Sequence, residues 1–472
     1  MASIVKLLSL VIACMGVSAL FPAAISARLG EGIVPIFFAT SLACIFLAGA
    51  MRFASAGLGR PLRRFQVLGA LAALWVIVPV LAAPAVAVTS GLNLWQSFFE
   101  ALSAFTTTGF TALGDAPRSL YVWLAMLQWS GGLLTIVSAV TVLAPAGIGG
   151  LPNRTGHQNE ASDAVDPAGV LKDLAPIYLG ATAIAFIAML MNGNSLYLSF
   201  CLASALTSAG AHIPPEGVAA IQRGAAMHWV LLPFLLWSAT SVRWHRALVG
   251  RRIHAAPEQS ESLLLLGYWL VLGVTFAVIL FRLPSFMTVE DALAEGFFAA
   301  ASLLSTSGIP PAPGTYAELP HGLLLIVALI GGGAFSLTGG LKLLRVRAML
   351  LRVRGDLMRL LYPNLMQPAR TGEGGVGSAM RGVWVAMVAL FASLAGVLIV
   401  MSMGTPTFEA ALTGAVAALT NTGPLYDASG AGWPPISSLN LLSQLGAVFA
   451  MVAGRLETIG AFVLIHLAIW RT

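Results

Sequence analysis

Four stretches of this chain carry one polar signature inside apolar surroundings: FFEALSAFTTTG (Phe98 to Gly109), SFCLASALTSAG (Ser199 to Gly210), FFAAASLLSTSG (Phe297 to Gly308) and LTGAVAALTNTG (Leu412 to Gly423). Each closes on a glycine, with a hydroxyl three positions earlier (Thr106, Thr207, Ser305, Thr420) and then a polar residue (Thr107, Ser208, Thr306, Asn421). A short helix ending in a glycine turn presents its carbonyl end, which is partially negative and favours a cation over an anion. Glycine also permits a backbone whose successive carbonyls face one axis, and four copies supply rings of oxygens able to replace the hydration shell of a potassium ion. One such turn is commonplace; four that align without a gap are not. The candidate ion-binding residues are therefore Thr107, Thr108 and Gly109, then Ser208, Ala209 and Gly210, then Thr306, Ser307 and Gly308, and finally Asn421, Thr422 and Gly423.

The copies recur roughly every 100 residues, a period long enough for a whole supersecondary unit. The chain has 472 residues, 58% hydrophobic and 9% charged, with a mean hydropathy of +0.88. That composition is that of a polytopic membrane protein. Two apolar spans, Ile4 to Ala27 and Val34 to Ala50, precede the first copy, and the first of them is too long for a signal-peptide core. Each copy then sits between two longer spans. The first members are Phe65 to Val88, Asp173 to Met191, Leu263 to Phe281 and Val383 to Met403. The second members are Leu120 to Leu143, Met227 to Val242, Gly322 to Leu344 and Ser437 onwards. A dozen helical residues rise only about 18 Å and cannot cross a core of about 30 Å, so each copy must enter and leave on the same side.

The reading is therefore an all-α fold of ten transmembrane helices: an N-terminal pair (1–60) and four helix, pore-loop, helix units at 61–150, 151–255, 256–375 and 376–472. The net charge of +6 does not point to nucleic acid, because the basic residues sit in short segments between spans. Arg52, Arg60, Arg63 and Arg64, the loop Arg243 to Arg252, and Lys342 to Arg370 are expected on the cytoplasmic side, with the N-terminus inside and the four copies outside. The loop Ala146 to Lys172 carries Glu160, Asp163 and Asp166 beside Arg154, a mixture that weighs little in orientation. Cys14, Cys44 and Cys201 all lie in apolar runs and are expected to be buried free thiols.

These features resemble the TrkH/KtrB/HKT superfamily of potassium transporters, with the extra N-terminal pair closest to the TrkH branch. Three further segments are similar to that family's motifs: Gln128-Trp129-Ser130-Gly131-Gly132, the stretch GGGAFSLTGGLK from Gly331 to Lys342, and Gly454-Arg455-Leu456-Glu457. The resemblance makes Gly109, Gly210, Gly308 and Gly423 the filter glycines. Sodium-favouring relatives place serine at the first of these, so Gly109 implies potassium. The residue after each glycine differs (Phe110, Ala211, Ile309, Pro424), so the filter is not truly fourfold. His212, next after Ala211, reads as a wet vestibule residue rather than a pH sensor.

Gly331, Gly332, Gly333, Ser336, Thr338, Gly339, Gly340 and Lys342 crowd a span that would support an unbroken helix poorly. Close packing of small residues is the competing reading of that composition. The resemblance implies an intramembrane loop that gates the pore, here with bulkier residues at Phe335 and Leu337. Arg455 lies midway through an apolar run, where a charge either faces a pore or snorkels from a helix end. The resemblance implies the former, in the cavity under the filter. Glu457, two positions on, points elsewhere and is not expected to pair with Arg455. The basic run Lys342, Arg345, Arg347, Arg352, Arg354 and Arg359 reads as an orientation signal contacting lipid head groups.

The expected activity is channel-like potassium uptake across a bacterial inner (plasma) membrane. The alternative is a sodium- or proton-coupled potassium symporter, which would place ionisable residues near the midplane. A membrane enzyme would need clustered His, Asp, Glu or Cys, and no such cluster is legible. No cofactor is expected in this chain, potassium being the substrate. The resemblance also implies a homodimer and a cytosolic, nucleotide-binding regulatory ring of the TrkA type.

Overall fold

The computed structural model describes residues 2–56, 64–143, 167–251, 259–282, 288–362, 373–430, 432–458 and 460. Arg60, Arg63, Arg252 and Arg370, the acidic loop through Arg154, Glu160, Asp163 and Asp166, and the end of the last apolar run to Trp470 lie outside them. The regular structure among the described residues is all helical, with no strand. Seven helices are long and apolar enough to cross a membrane: Ser3–Leu29, Val34–Ala54, Gln66–Ser90, Arg118–Thr141, Pro167–Met191, Gln259–Arg282 and Met380–Ser402. An eighth arises if Pro215–Ile221 and Ala225–Ala239, bent by 106° at their junction, count as one. The chain is an integral membrane protein.

The four copies form short helices, Leu94–Phe105, Leu196–Ser208, Val289–Leu304 and Phe408–Thr420, referred to below as the motif helices. Each starts at a side-chain cap that satisfies an orphan backbone donor. Asn93 accepts from Gln96 N at 2.8 Å, Ser195 from Leu198 N at 3.2 Å, Thr288 from Asp291 N at 3.1 Å and Thr407 from Ala410 N at 3.2 Å.

Each motif helix packs closely on the span before it, where small residues let backbones approach. The first and fourth contribute to one apolar cluster, Phe99, Leu102 and Phe105 from one and Ala411, Ala415 and Leu419 from the other. The fourth and third share a cluster through Val416, Ala299 and Leu303, and the third and second share another through Phe298, Ala301, Leu202 and Ala205.

The spans after the third and fourth copies are shorter as helices than the sequence suggested. His321–Ile330 has 10 residues and Leu441–Arg455 has 15, so the first rises only about 15 Å. The chain leaves helix at Gly331 and re-enters it at Leu343. Cys44 and Cys201 are buried, but Cys14 is exposed on the helix Ala2–Ser18. Burial of Cys14 was the wrong expectation because an apolar run in a membrane helix faces lipid as well as protein.

Candidate ion-conducting site

All twelve candidate filter residues are buried, and the chain turns sharply at each. Thr107, Thr306 and Asn421, at equivalent positions, take left-handed backbone with φ of 52°, 58° and 56°. For the two threonines this is a strained conformation, of a kind that clusters at functional sites and costs about 1–3 kcal/mol each. Gly109 has φ of 90°, which only glycine adopts freely.

The hydroxyl three positions before each glycine does defined work. Thr106, Thr207 and Thr420 donate to the carbonyls of Leu102, Ala203 and Val416 at 2.8, 2.7 and 2.9 Å, and Ser305 donates to Ser302 O at 2.9 Å. Each thus satisfies a carbonyl at the end of its helix. In three copies that hydroxyl also pairs with one two residues on: Thr106 with Thr108 at 2.8 Å, Ser305 with Ser307 at 2.6 Å, Thr420 with Thr422 at 2.9 Å.

The second copy departs from this scheme. Ala209 has no hydroxyl to make the pair, the helix runs on to Ser208, and the left-handed residue is Ala209 itself, with φ of 57°. Sequence alignment equates Ser208 with Thr107, whereas the backbone equates Ala209 with it. The Ser208 hydroxyl donates back to Ser204 O at 2.7 Å.

The segments are tied directly to one another. Gly423 N donates to Thr108 O at 2.7 Å, and Asn421 Nδ2 donates to Thr108 Oγ1 at 2.9 Å, joining the fourth segment to the first. A methyl group on Gly109 would sit 2.7 Å from Ala211 Cβ and 3.2 Å from Pro424 Cδ, so the first segment also abuts the second and fourth. One on Gly308 would sit 2.7 Å from Thr422 Cγ2, which joins the third to the fourth.

Two glycines outside the copies explain why their neighbours matter. A methyl group on Gly131 would lie 1.7 Å from Phe105 O, and one on Gly339 would lie 2.0 Å from Thr420 O. At both places a second-span backbone presses on the carbonyl end of a motif helix, and no side chain fits.

The non-helical stretch from Gly331 to Lys342 lies against these segments. Gly339 N donates to Thr306 Oγ1 at 3.0 Å, Gly333 N to Ala239 O at 2.9 Å and Leu337 N to Ser238 O at 3.2 Å. Phe335, with φ of 56°, lies 4.0 Å beneath the Arg243 guanidinium. Within the stretch, Gly332 N and Ser336 Oγ both contact Thr338 Oγ1, at 3.2 and 2.7 Å. Gly331 and Gly340 have φ of 65° and 79°, at the two ends of the stretch.

Arg455 is buried and bridges two regions: its Nε donates to Thr106 O and its Nη1 to Leu337 O, each at 2.6 Å, while Nη2 donates to Thr107 Oγ1. It does not snorkel. Lys342 is also buried; its Nζ donates to Thr338 O, and to Ser336 Oγ and Thr338 Oγ1 at 3.3 and 3.1 Å. Arg345 is buried as well and pairs with Glu457. The basic run therefore begins inside the protein, contrary to its reading as a lipid-facing signal, because its first two cations have found oxygens there. Further along, Arg347 reaches Ser260 at 3.3 Å and Arg352 pairs with Asp356 at 3.0 Å on the surface.

Sequence reasoning missed two acids, Glu261 and Glu100, and the partner of a third, Glu457, which as expected does not pair with Arg455. Glu261 accepts from Ala334 N at 2.7 Å, Glu457 takes Arg345, and Glu100 lies fully buried in the first motif helix. A lone acid in an apolar membrane stretch is itself a signal of function, and would have found Glu100 and Glu261. Glu100 faces His212, Nε2 to Oε1 at 3.0 Å. His212 is 5% exposed, so its reading as a wet vestibule residue is corrected: a carboxylate from the neighbouring copy draws it inward. Gln128 completes the contact, accepting from His212 N at 3.1 Å and donating to His212 O at 2.9 Å.

Beyond the fourth segment, Asp427 is exposed yet enclosed enough by protein that desolvation pushes its pKa up to about 6. Among the described residues no cluster of three or more His, Cys, Asp and Glu could hold a metal ion.

The chain is similar to known proteins over nearly its whole length. It is 26% identical to the Trk system potassium uptake protein TrkH of Vibrio parahaemolyticus, covering 100% of this chain and 99% of that protein. It is 26% identical to TrkI of Halomonas elongata, covering 84% and 82%. The crystal structure of the potassium transporter TrkH from Vibrio parahaemolyticus superposes with a TM-score of 0.82 at 22% identity, covering 100% of this chain and 99% of that one, which shows a shared fold. The family model described as TrkH, cation transport protein, matches residues 34–469. With that match added to four interlocked glycine segments and a buried arginine against them, the chain belongs to the TrkH family of cation transport proteins, which are transporters and not enzymes.

Proposed function

We propose that this protein takes up potassium through a channel-like pore whose selectivity filter is formed by 107–109, 208–210, 306–308 and 421–423. The observation that carries the reading is the direct locking of one segment to the next, above all Gly423 N to Thr108 O at 2.7 Å. Relatives named as potassium uptake proteins support the choice of ion. The filter residues carry no charged side chain, so cation preference falls to the backbone oxygens and to the negative ends of four converging helices. An inside-negative potential of 100 mV then supplies about 2.3 kcal/mol per monovalent cation.

In this reading the stretch from Gly331 to Lys342 is the gate, and Arg455 is the cation that holds it against the filter. The broken spans complete ten crossings in four pore units behind an N-terminal pair, in the inner (plasma) membrane with the N-terminus cytoplasmic. Arg345 continues from the gate into a cytoplasmic helix, so a cytosolic regulatory ring of the TrkA type pulling there would move the gate, and a homodimer would present two such helices.

Rubidium influx into proteoliposomes, comparing wild type with Gly109→Ser and Arg455→Ala, tests the scheme. Lost preference over sodium in the first and greater flux in the second are expected. Wild-type behaviour in both would discard it.

A further inference from the structure

We propose that Glu100, His212 and Gln128 form a clamp that positions the outer ends of the first two filter segments and thereby sets how strongly the pore prefers potassium over sodium. The proposal rests on the filter reading above. Glu100 is fully buried, and its carboxylate serves both segments at once. Oε1 accepts from Thr111 Oγ1 at 2.7 Å, and Oε2 accepts from Ala112 N at 2.8 Å, which fixes the strand leaving Gly109. Oε1 also meets His212 Nε2 at 3.0 Å, which fixes the strand leaving Gly210. Gln128 holds the same residue by its backbone, through both N–H and carbonyl.

Two considerations point from this geometry to a positioning role. A buried carboxylate facing a buried imidazole is costly to desolvate, and an apolar pair of similar size would pack there at less cost. The His212 ring also makes no second contact: Nδ1 is buried without a hydrogen-bond partner, so Glu100 alone orients it. The clamp falls, moreover, on the one segment that lacks an internal lock. The first, third and fourth segments pair their own hydroxyls, whereas Ala209 gives the second none. Its register differs by one residue, and its only described polar ties to the first segment run through His212. Loosening the clamp would let the second segment relax and blur the size of the oxygen cage that distinguishes a larger from a smaller ion.

The test is rubidium influx into proteoliposomes of the purified full chain, with and without competing sodium. His212→Leu and Glu100→Leu are each expected to lower rubidium-over-sodium discrimination about fivefold or more, and the double variant no further, because residues acting as one unit do not add. His212→Gln, whose amide can donate to Glu100, is expected to stay within about twofold of wild type. Discrimination preserved in both leucine variants, or effects that multiply in the double variant, would overturn the clamp. Should the leucine variants fail to fold, Glu100→Asp decides: it keeps the charge, but its carboxylate, one methylene shorter, cannot reach Ala112 N and His212 Nε2 together, and discrimination must drop by about twofold or more. An unchanged ratio there also overturns it. If wild type carried no rubidium at all, the transport reading would fall and the clamp with it; flux with undisturbed discrimination sinks the clamp alone.

Discussion

The filter segments and the stretch from Gly331 to Lys342 touch, yet they are held by different physics. Neutral groups lock the first, third and fourth segments to themselves and to one another: hydroxyl pairs, one backbone bond from Gly423 to Thr108, and close contacts that leave no room for a methyl. Among the described residues, only the first also takes charged groups, Arg455 at Thr106 and Thr107 and Glu100 beyond Gly109. The stretch from Gly331 to Lys342 is gripped by charges: Arg455 on Leu337 O, Lys342 on Thr338, Glu261 on Ala334 N and Arg243 over Phe335. A neutral lock gains little from water and stays closed. Charge-assisted bonds are strong when dry but weaken as water enters and the local dielectric rises. Under the function proposed above, the first region keeps its shape and the second is the one that changes.

The largest effect should come from breaking the neutral lock. Gly131→Val places a side chain where even a methyl would meet Phe105 O at 1.7 Å. Overpacking against fixed backbone costs about 1–3 kcal/mol or more, and we expect selective rubidium uptake to be abolished while the protein still reaches the membrane. Uptake at the wild-type level would show that the filter tolerates movement, and the contrast would collapse.

Next in size is Arg455→Ala. It releases Leu337 O and Thr106 O together, and we expect rubidium flux to rise several-fold, which corresponds to about 1 kcal/mol. Reduced flux would mean that the arginine supports the filter more than it restrains the stretch below. Glu457→Gln should act in the same direction but less strongly, because it weakens one contact of Arg345, which lies just beyond that stretch and keeps its bond to Leu341 O. Combining it with Arg455→Ala should give less than the sum, as expected for contacts on one moving element.

The smallest effect concerns Asp427, which the proposed pore places at its outer mouth. Desolvation pushes the Asp427 carboxyl up to about 6 from an ordinary 3.8, so it is charged above that pH and neutral below it. Apparent affinity for rubidium in wild type should therefore fall as external pH drops through about 6. Asp427→Asn should lose that step and show an affinity about twofold weaker at pH 8, the scale of one exposed charge. A step that persists in the variant would assign it to another group.

The sequence was sufficient to find seven or eight of the apolar spans and the four glycine-ended copies, which rest on local composition and on the length of chain a membrane demands. For the stretch from Gly331 to Lys342 composition left a broken helix and close packing of small residues both open, and the family resemblance tipped the reading to the break that is found. Only the tertiary structure decided that the second segment is shifted by one residue, since that depends on a hydroxyl pair Ala209 cannot make. Only it decided who holds whom: His212 with Glu100 across 112 positions, Arg455 with Thr106 across 349, Arg345 with Glu457 across 112. Periodicity reports which face of a helix is apolar, but a buried polar group takes whichever partner the packed helices bring within about 3 Å, and no local pattern encodes that.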